Sequence, residues 1–108
     1  MWGYENLEIE PDGFTLAKGL GGGHAIGALL VQKKAHIFYP GAHASTFGGN
    51  PFACRAAITV LEEIKRRKIL INVFERGNQL NEGFIKLSAK FPNIINSIRG
   101  LGLSLIHI

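Results

Sequence analysis

Glycine placement is what most limits the folds open to this chain. It has 14 glycines in 108 residues, most of them in the first half, and positions 19 and 21–23 are all glycine. Glycine loses more backbone freedom on folding than any other residue. Clustered glycine therefore shapes a tight turn or a close approach, and adds nothing to a hydrophobic core. A chain of this length is at most one domain, or a piece of a larger one. With 46% hydrophobic and 19% charged residues, its balance is that of a globular protein and excludes a disordered or collagen-like chain.

Around the glycines the pattern alternates between strand and helix. Glu10-Pro11-Asp12-Gly13 is a turn sequence, and Phe14-Thr15-Leu16-Ala17 alternates as a short strand. Ile26 to Val31 has the length of a buried strand, with Gly27 as its weak point. Lys33 to Tyr39 reads as a short helix or an exposed turn, ended by Pro40 and Gly41. Asn50 is a good helix N-cap and Pro51 suits the first helical position. Behind them, Phe52, Ala56, Val60 and Ile64 make one apolar row, and Ala53, Ala57 and Leu61 the next. A second helix carries Leu70, Val73, Gly77, Leu80, Phe84, Leu87 and Phe91 at steps of three and four, and Pro92 stops it. Ile94, Ile95 and Ile98 suggest a strand entering Arg99-Gly100-Leu101-Gly102. The order strand, strand, helix, helix, strand indicates an α/β class.

Charge and cysteine set the surroundings. The formal charge is +4, with a basic run Lys65-Arg66-Arg67-Lys68. Glu62 and Glu63 precede that run and no aromatic residue interleaves with it, so it reads as a solvated helix face rather than a nucleic-acid footprint. A basic interaction surface at 65–68 is the corresponding noncatalytic alternative. Cys54 is alone, which fits a reducing compartment, and it reads as a buried, inert thiol. No stretch is long and apolar enough for a membrane span and no signal peptide is visible, so the expectation is a cytoplasmic protein without membrane partners. His24, His36, His43 and His107 lack metal-ligand spacing, and no metal is expected.

Two groups of residues carry chemistry. Lys18 ends a strand-like segment and opens the glycine block. In a partly desolvated site its neutral amine attacks a carbonyl; otherwise it is an exposed lysine beside a glycine hinge. The glycines match neither a Walker loop, because Lys18 precedes them, nor a dinucleotide fingerprint, which would require glycine at His24 or Leu105. The second group is Ser45-Thr46-Phe47-Gly48-Gly49-Asn50-Pro51, with hydroxyls and backbone N–H groups at a helix mouth that suits phosphate. Here too a plain loop with an N-cap is the alternative. Together the two groups also permit a small anion-binding module without catalysis.

These residues resemble a known family. Thr15-Leu16-Ala17-Lys18-Gly19-Leu20-Gly21-Gly22-Gly23, followed by Ile26-Gly27-Ala28, resembles the cofactor-lysine segment of class III pyridoxal-phosphate aminotransferases. His43 to Pro51, followed by Ala53-Cys54, is similar to the family's second block, in the same order and at the usual separation. Trp2-Gly3-Tyr4-Glu5, Glu10-Pro11-Asp12 and Ile98-Arg99-Gly100-Leu101-Gly102 match the flanking segments, while His24-Ala25 departs from a pattern in which proline precedes Ile-Gly-Ala. The resemblance implies that Lys18 holds pyridoxal 5'-phosphate and moves the substrate proton. It implies that Thr46, with Ser45 in the same network, binds the cofactor phosphate across a homodimer interface. It further implies a small-molecule amino donor and a 2-oxo acid acceptor, with no nucleic acid.

The family's pyridinium-pairing aspartate and its substrate arginines would lie outside these residues. The chain is therefore expected to be an internal fragment of a fold-type-I transferase, inactive and aggregation-prone alone. Residues 1–66 would be the end of the large mixed-sheet domain and 67–108 the start of the C-terminal α+β domain. Met1 reads as an internal residue, and Ser104-Leu105-Ile106-His107-Ile108, which departs from the family, as a truncated gene end.

Overall fold

The computed structural model describes residues 1–107 and forms two compact units, Met1–Glu63 and Ile64–Ile108. In the first unit, β1 (Gly13–Leu16) pairs antiparallel with β2 (Ala28–Val31), with Gly13 opposite Val31 and Leu16 opposite Ala28. The turn before β1 is braced by Gln32. Its backbone N–H donates to the Asp12 carbonyl at 2.8 Å and its side-chain amide to the Pro11 carbonyl at 2.9 Å. Phe14 sits between Trp2 and Tyr4, with ring centroids 5.7 and 5.3 Å away.

Both strands are shorter than their apolar runs. Ala17 leaves the ladder because its carbonyl accepts the Leu20 N–H at 3.2 Å in the turn that follows. Residues 26 and 27 precede β2 and belong to that same connection. Lys33–Ala35 is a single 3₁₀ turn.

Helix α1 (Pro51–Arg66) starts where Asn50 and Pro51 place it. The Asn50 Oδ1 accepts the N–H groups of Phe52 at 2.9 Å and Ala53 at 3.2 Å. Those are two of the four donors that every helix leaves unpaired at its start. Of the two apolar rows, one buries Ala53 and Ala57 and half-buries Leu61, whereas in the other Phe52 is 69% exposed.

In the second unit, α2 (Ile69–Lys90) begins after Lys68, whose φ of +50° interrupts the helical path. No glycine or proline announces that break. At the other end the Phe91 N–H still reaches the Leu87 carbonyl at 2.9 Å, and Pro92 then stops the helix.

The chain beyond α2 departs from expectation. Strand β3 (Ile98–Leu101) does not run on. It folds back at Gly102-Leu103 onto β4 (Ser104–His107), antiparallel, with Leu101 opposite Ser104. Both two-stranded sheets are thus hairpins, and the element order is a mixed α/β one with a fourth strand. Ile108, the last residue of the divergent end, lies outside the described residues.

The β3–β4 turn is seated on α2 by two glycines. A Cβ at Gly77 would lie 2.6 Å from the Gly102 carbonyl oxygen, and a Cβ at Gly102 would lie 2.9 Å from Val73 Cγ1. Gly102 also has φ +59°. Gly83, two turns further along α2, faces open space.

The two α2 glycines should therefore respond with opposite sign to the same substitution. Gly77→Ala is expected to destabilise by about 1–3 kcal/mol through overpacking, and Gly83→Ala to stabilise by about 0.5–1 kcal/mol through helix propensity, both read from urea unfolding. Asn50→Ala is expected to cost about 1 kcal/mol by removing the cap. Faster amide exchange at Phe52 and Ala53 would identify the cap as the cause.

Candidate functional site

Lys18 is the first residue of a 3₁₀ turn, Lys18–Gly21, that begins just past the end of β1. Its φ is +53°, in the left-handed region that a side chain with a Cβ adopts at a cost of about 1 kcal/mol or more. Turn hydrogen bonds continue from it without a gap. Leu20 N–H donates to the Ala17 carbonyl at 3.2 Å, Gly22 to Gly19 at 3.1 Å, and His24 to Gly21 at 3.1 Å. Gly22 and Gly23, at φ +61° and +109°, complete the reversal toward β2. Gly22 lies against α1, where a Cβ would come within 3.0 Å of Val60 Cγ2.

The lysine is solvent-exposed. The described residues thus supply no desolvation of its amine, and they offer it no carboxylate partner.

The Ser45–Asn50 loop consists of two overlapping turns. The Ser45 carbonyl accepts the Gly48 N–H at 3.3 Å, and the Phe47 carbonyl accepts the Asn50 N–H at 3.2 Å. Ser45 and Thr46 are exposed. The helix mouth itself is less open to an anion than its sequence suggests, because Asn50 occupies the Phe52 and Ala53 donors and its own carbonyl takes the Cys54 N–H at 2.9 Å. The hydroxyls of Ser45 and Thr46 and the N–H groups of Thr46 and Phe47 have no partner among the described residues.

A cleft of about 530 Å³ lies between residues 25–28, this loop and the first turn of α1, and Ser45, Ala53 and Cys54 line it. Lys18 and Thr46 are not on its walls. Cys54, expected to be buried, is half-buried there, because its helix face borders the cleft.

Of the histidines, His24 meets the Phe52 ring edge-on at 4.9 Å, and His43 stacks on Phe38 at 5.6 Å. The His24 contact was not legible in the sequence; its only trace there is the departure from the family pattern at His24-Ala25. Lys65, Arg66, Arg67 and Lys68 are exposed. Among the described residues no cluster of His, Cys, Asp or Glu could hold a metal ion, and no helix is long and apolar enough to cross a membrane.

By type, these donors are those an aldehyde-bearing phosphate cofactor requires. An exposed primary amine stands on a glycine turn, and hydroxyl and N–H donors stand on a second loop.

Comparison with known proteins adds to this geometry. The aminotransferase class-III family model matches residues 1–107. An acetylornithine aminotransferase of Prochlorococcus marinus subsp. pastoris is 90% identical over 103 residues, which is 95% of this chain and 25% of that protein. Acetylornithine aminotransferases of Parasynechococcus marenigrum and a Nostoc species are 65% and 53% identical over 103 residues, each covering 95% of this chain and 24% of the relative. The chain spans about a quarter of the length of these curated relatives.

Strain at Lys18 is directly testable. Lys18→Gly is expected to raise stability by about 0.5–1 kcal/mol by relieving the left-handed conformation, whereas Lys18→Ala keeps its Cβ and leaves stability unchanged. Urea unfolding of the two variants side by side measures the difference.

Proposed function

Because the chain belongs to the class-III aminotransferase family, we propose that it supplies the cofactor lysine and a phosphate-binding loop of a pyridoxal-phosphate-dependent transaminase. The reaction is amino transfer from N-acetylornithine to 2-oxoglutarate, a step of arginine biosynthesis. One observation carries the reading: 90% identity to a protein named acetylornithine aminotransferase over 103 of the 108 residues, a span too long to leave out Lys18, Ser45 or Thr46.

In this proposal Lys18 is the catalytic residue. Its amine would hold the cofactor at the aldehyde and, when free, would be the base that moves the substrate proton. Only the neutral amine can do either. Bound pyridoxal phosphate supplies the electron-withdrawing ring that stabilises charge on the substrate carbon. The Thr46 hydroxyl, with Ser45 and the Thr46 and Phe47 N–H groups, binds the phosphate. Asn50 is reserved for the helix and holds the loop's end in place.

The parent is a homodimer of fold type I, with Thr46 serving across its interface. The boundary between the large domain and the C-terminal domain falls at 66–67. The lone cysteine suits the reducing cytoplasm.

A suitable test protein is a full-length chimera in which the 103 matched residues of this chain replace the corresponding segment of the Prochlorococcus relative. Borohydride reduction with pyridoxal phosphate, followed by peptide mapping, is expected to mark Lys18 alone. Label spread over Lys33, Lys34 and Lys65 would overturn the assignment. Lys18→Ala is expected to lower turnover by about a thousandfold or more. Thr46→Val is expected to weaken cofactor binding about tenfold, the worth of one hydrogen bond to a charged group. N-acetylornithine should be used faster than ornithine, succinylornithine or 4-aminobutyrate.

A further inference from the structure

The glycine turn that bears Lys18 does not stand free on the β1–β2 hairpin. It touches helix α1 at two points, with the backbone of Gly22 against Val60 and the His24 ring edge-on to Phe52 at 4.9 Å and 74°. Three successive turn hydrogen bonds, closing on the carbonyls of Ala17, Gly19 and Gly21, join Lys18 to His24. Those bonds fix the backbone path from the 3₁₀ turn at Lys18–Gly21, through the left-handed Gly22 and Gly23, to His24.

The other partner of the contact is also informative. Phe52 lies in the first turn of α1, and its N–H is held by Asn50, the last residue of the Ser45–Asn50 loop. The His24–Phe52 contact therefore ties the lysine turn to the helix end that carries the loop. Gly22 permits the approach but has no side chain with which to hold it. The His24 ring supplies a side-chain contact with the same helix.

We propose that His24 is a positioning residue for Lys18: its T-shaped ring contact with Phe52 docks the lysine turn onto the start of α1. This rests on the role assigned to Lys18 above. The contact requires an aromatic ring and no charge. An edge-to-face ring pair has a worth that corresponds to an equilibrium change of about three- to tenfold.

The test uses the chimera with His24→Ala and His24→Phe, and has two readouts. One is the rate at which pyridoxal phosphate and borohydride trap Lys18. The other, independent of cofactor, is amide exchange at Leu20, Gly22 and His24 or its replacement. His24→Ala is expected to slow trapping and to speed exchange, each about three- to tenfold. His24→Phe, which keeps a ring at Phe52, is expected to restore both.

Exchange or trapping unchanged in His24→Ala, or altered equally in both variants, overturns the proposal. If Lys18 of the unsubstituted chimera is not trapped at all, the cofactor role of Lys18 fails, and the positioning role fails with it. The exchange data then decide only whether the contact holds the turn.

Discussion

Close approach at glycine positions is the constraint on which the packing of each unit depends. Among the described residues the buried ones are Gly21, Ala53, Ala57 and Gly77, all glycine or alanine. Where a folded domain ordinarily interdigitates large apolar side chains, this chain brings a glycine turn against α1 and a hairpin turn against α2. The missing Cβ atoms are the condition for both: Gly22 meets Val60, and Gly77 meets Gly102. The clustered glycine thus has a structural use in the first unit, and glycine at 77 and 102 in the second.

The same constraint leaves much apolar surface uncovered. Ile37 and Phe47 are about 80% exposed, and Phe52, Phe74 and Ile94 are mostly exposed as well. Monomeric proteins rarely leave so many large apolar groups in water. The chain spans about a quarter of the length of the relatives it matches. The lysine follows the same logic. The described residues shape its turn and strain its backbone without enclosing it.

The legible parts of the fold are those governed by local chemistry. Asn50 and Pro51 announced α1, and the carboxamide makes the two cap hydrogen bonds expected of it. Pro92 ended α2, and the Pro11-Asp12-Gly13 turn led into β1. The left-handed backbone at Lys18 and Lys68 could not be read, because neither residue favours it and only the surrounding hydrogen bonds impose it. Nor could the choice between the two apolar rows of α1, both of which satisfy the helical period. The β3–β4 hairpin escaped notice because Gly102-Leu103 lacks the usual Asn-Gly turn signal.

By itself, the sequence determined family membership, the lysine, the hydroxyl-bearing loop and the helix that follows it. Those depend on residue identity and on spacings of a few positions, which local propensities and motif chemistry read directly. Tertiary structure alone decided that the lysine turn meets α1 through Gly22 and His24, and that the turn at Gly102 lies against Gly77 of α2. Each of these depends on which distant atoms come within about 3–5 Å of one another. A periodic pattern specifies that a face is apolar, but not which other segment will lie against it.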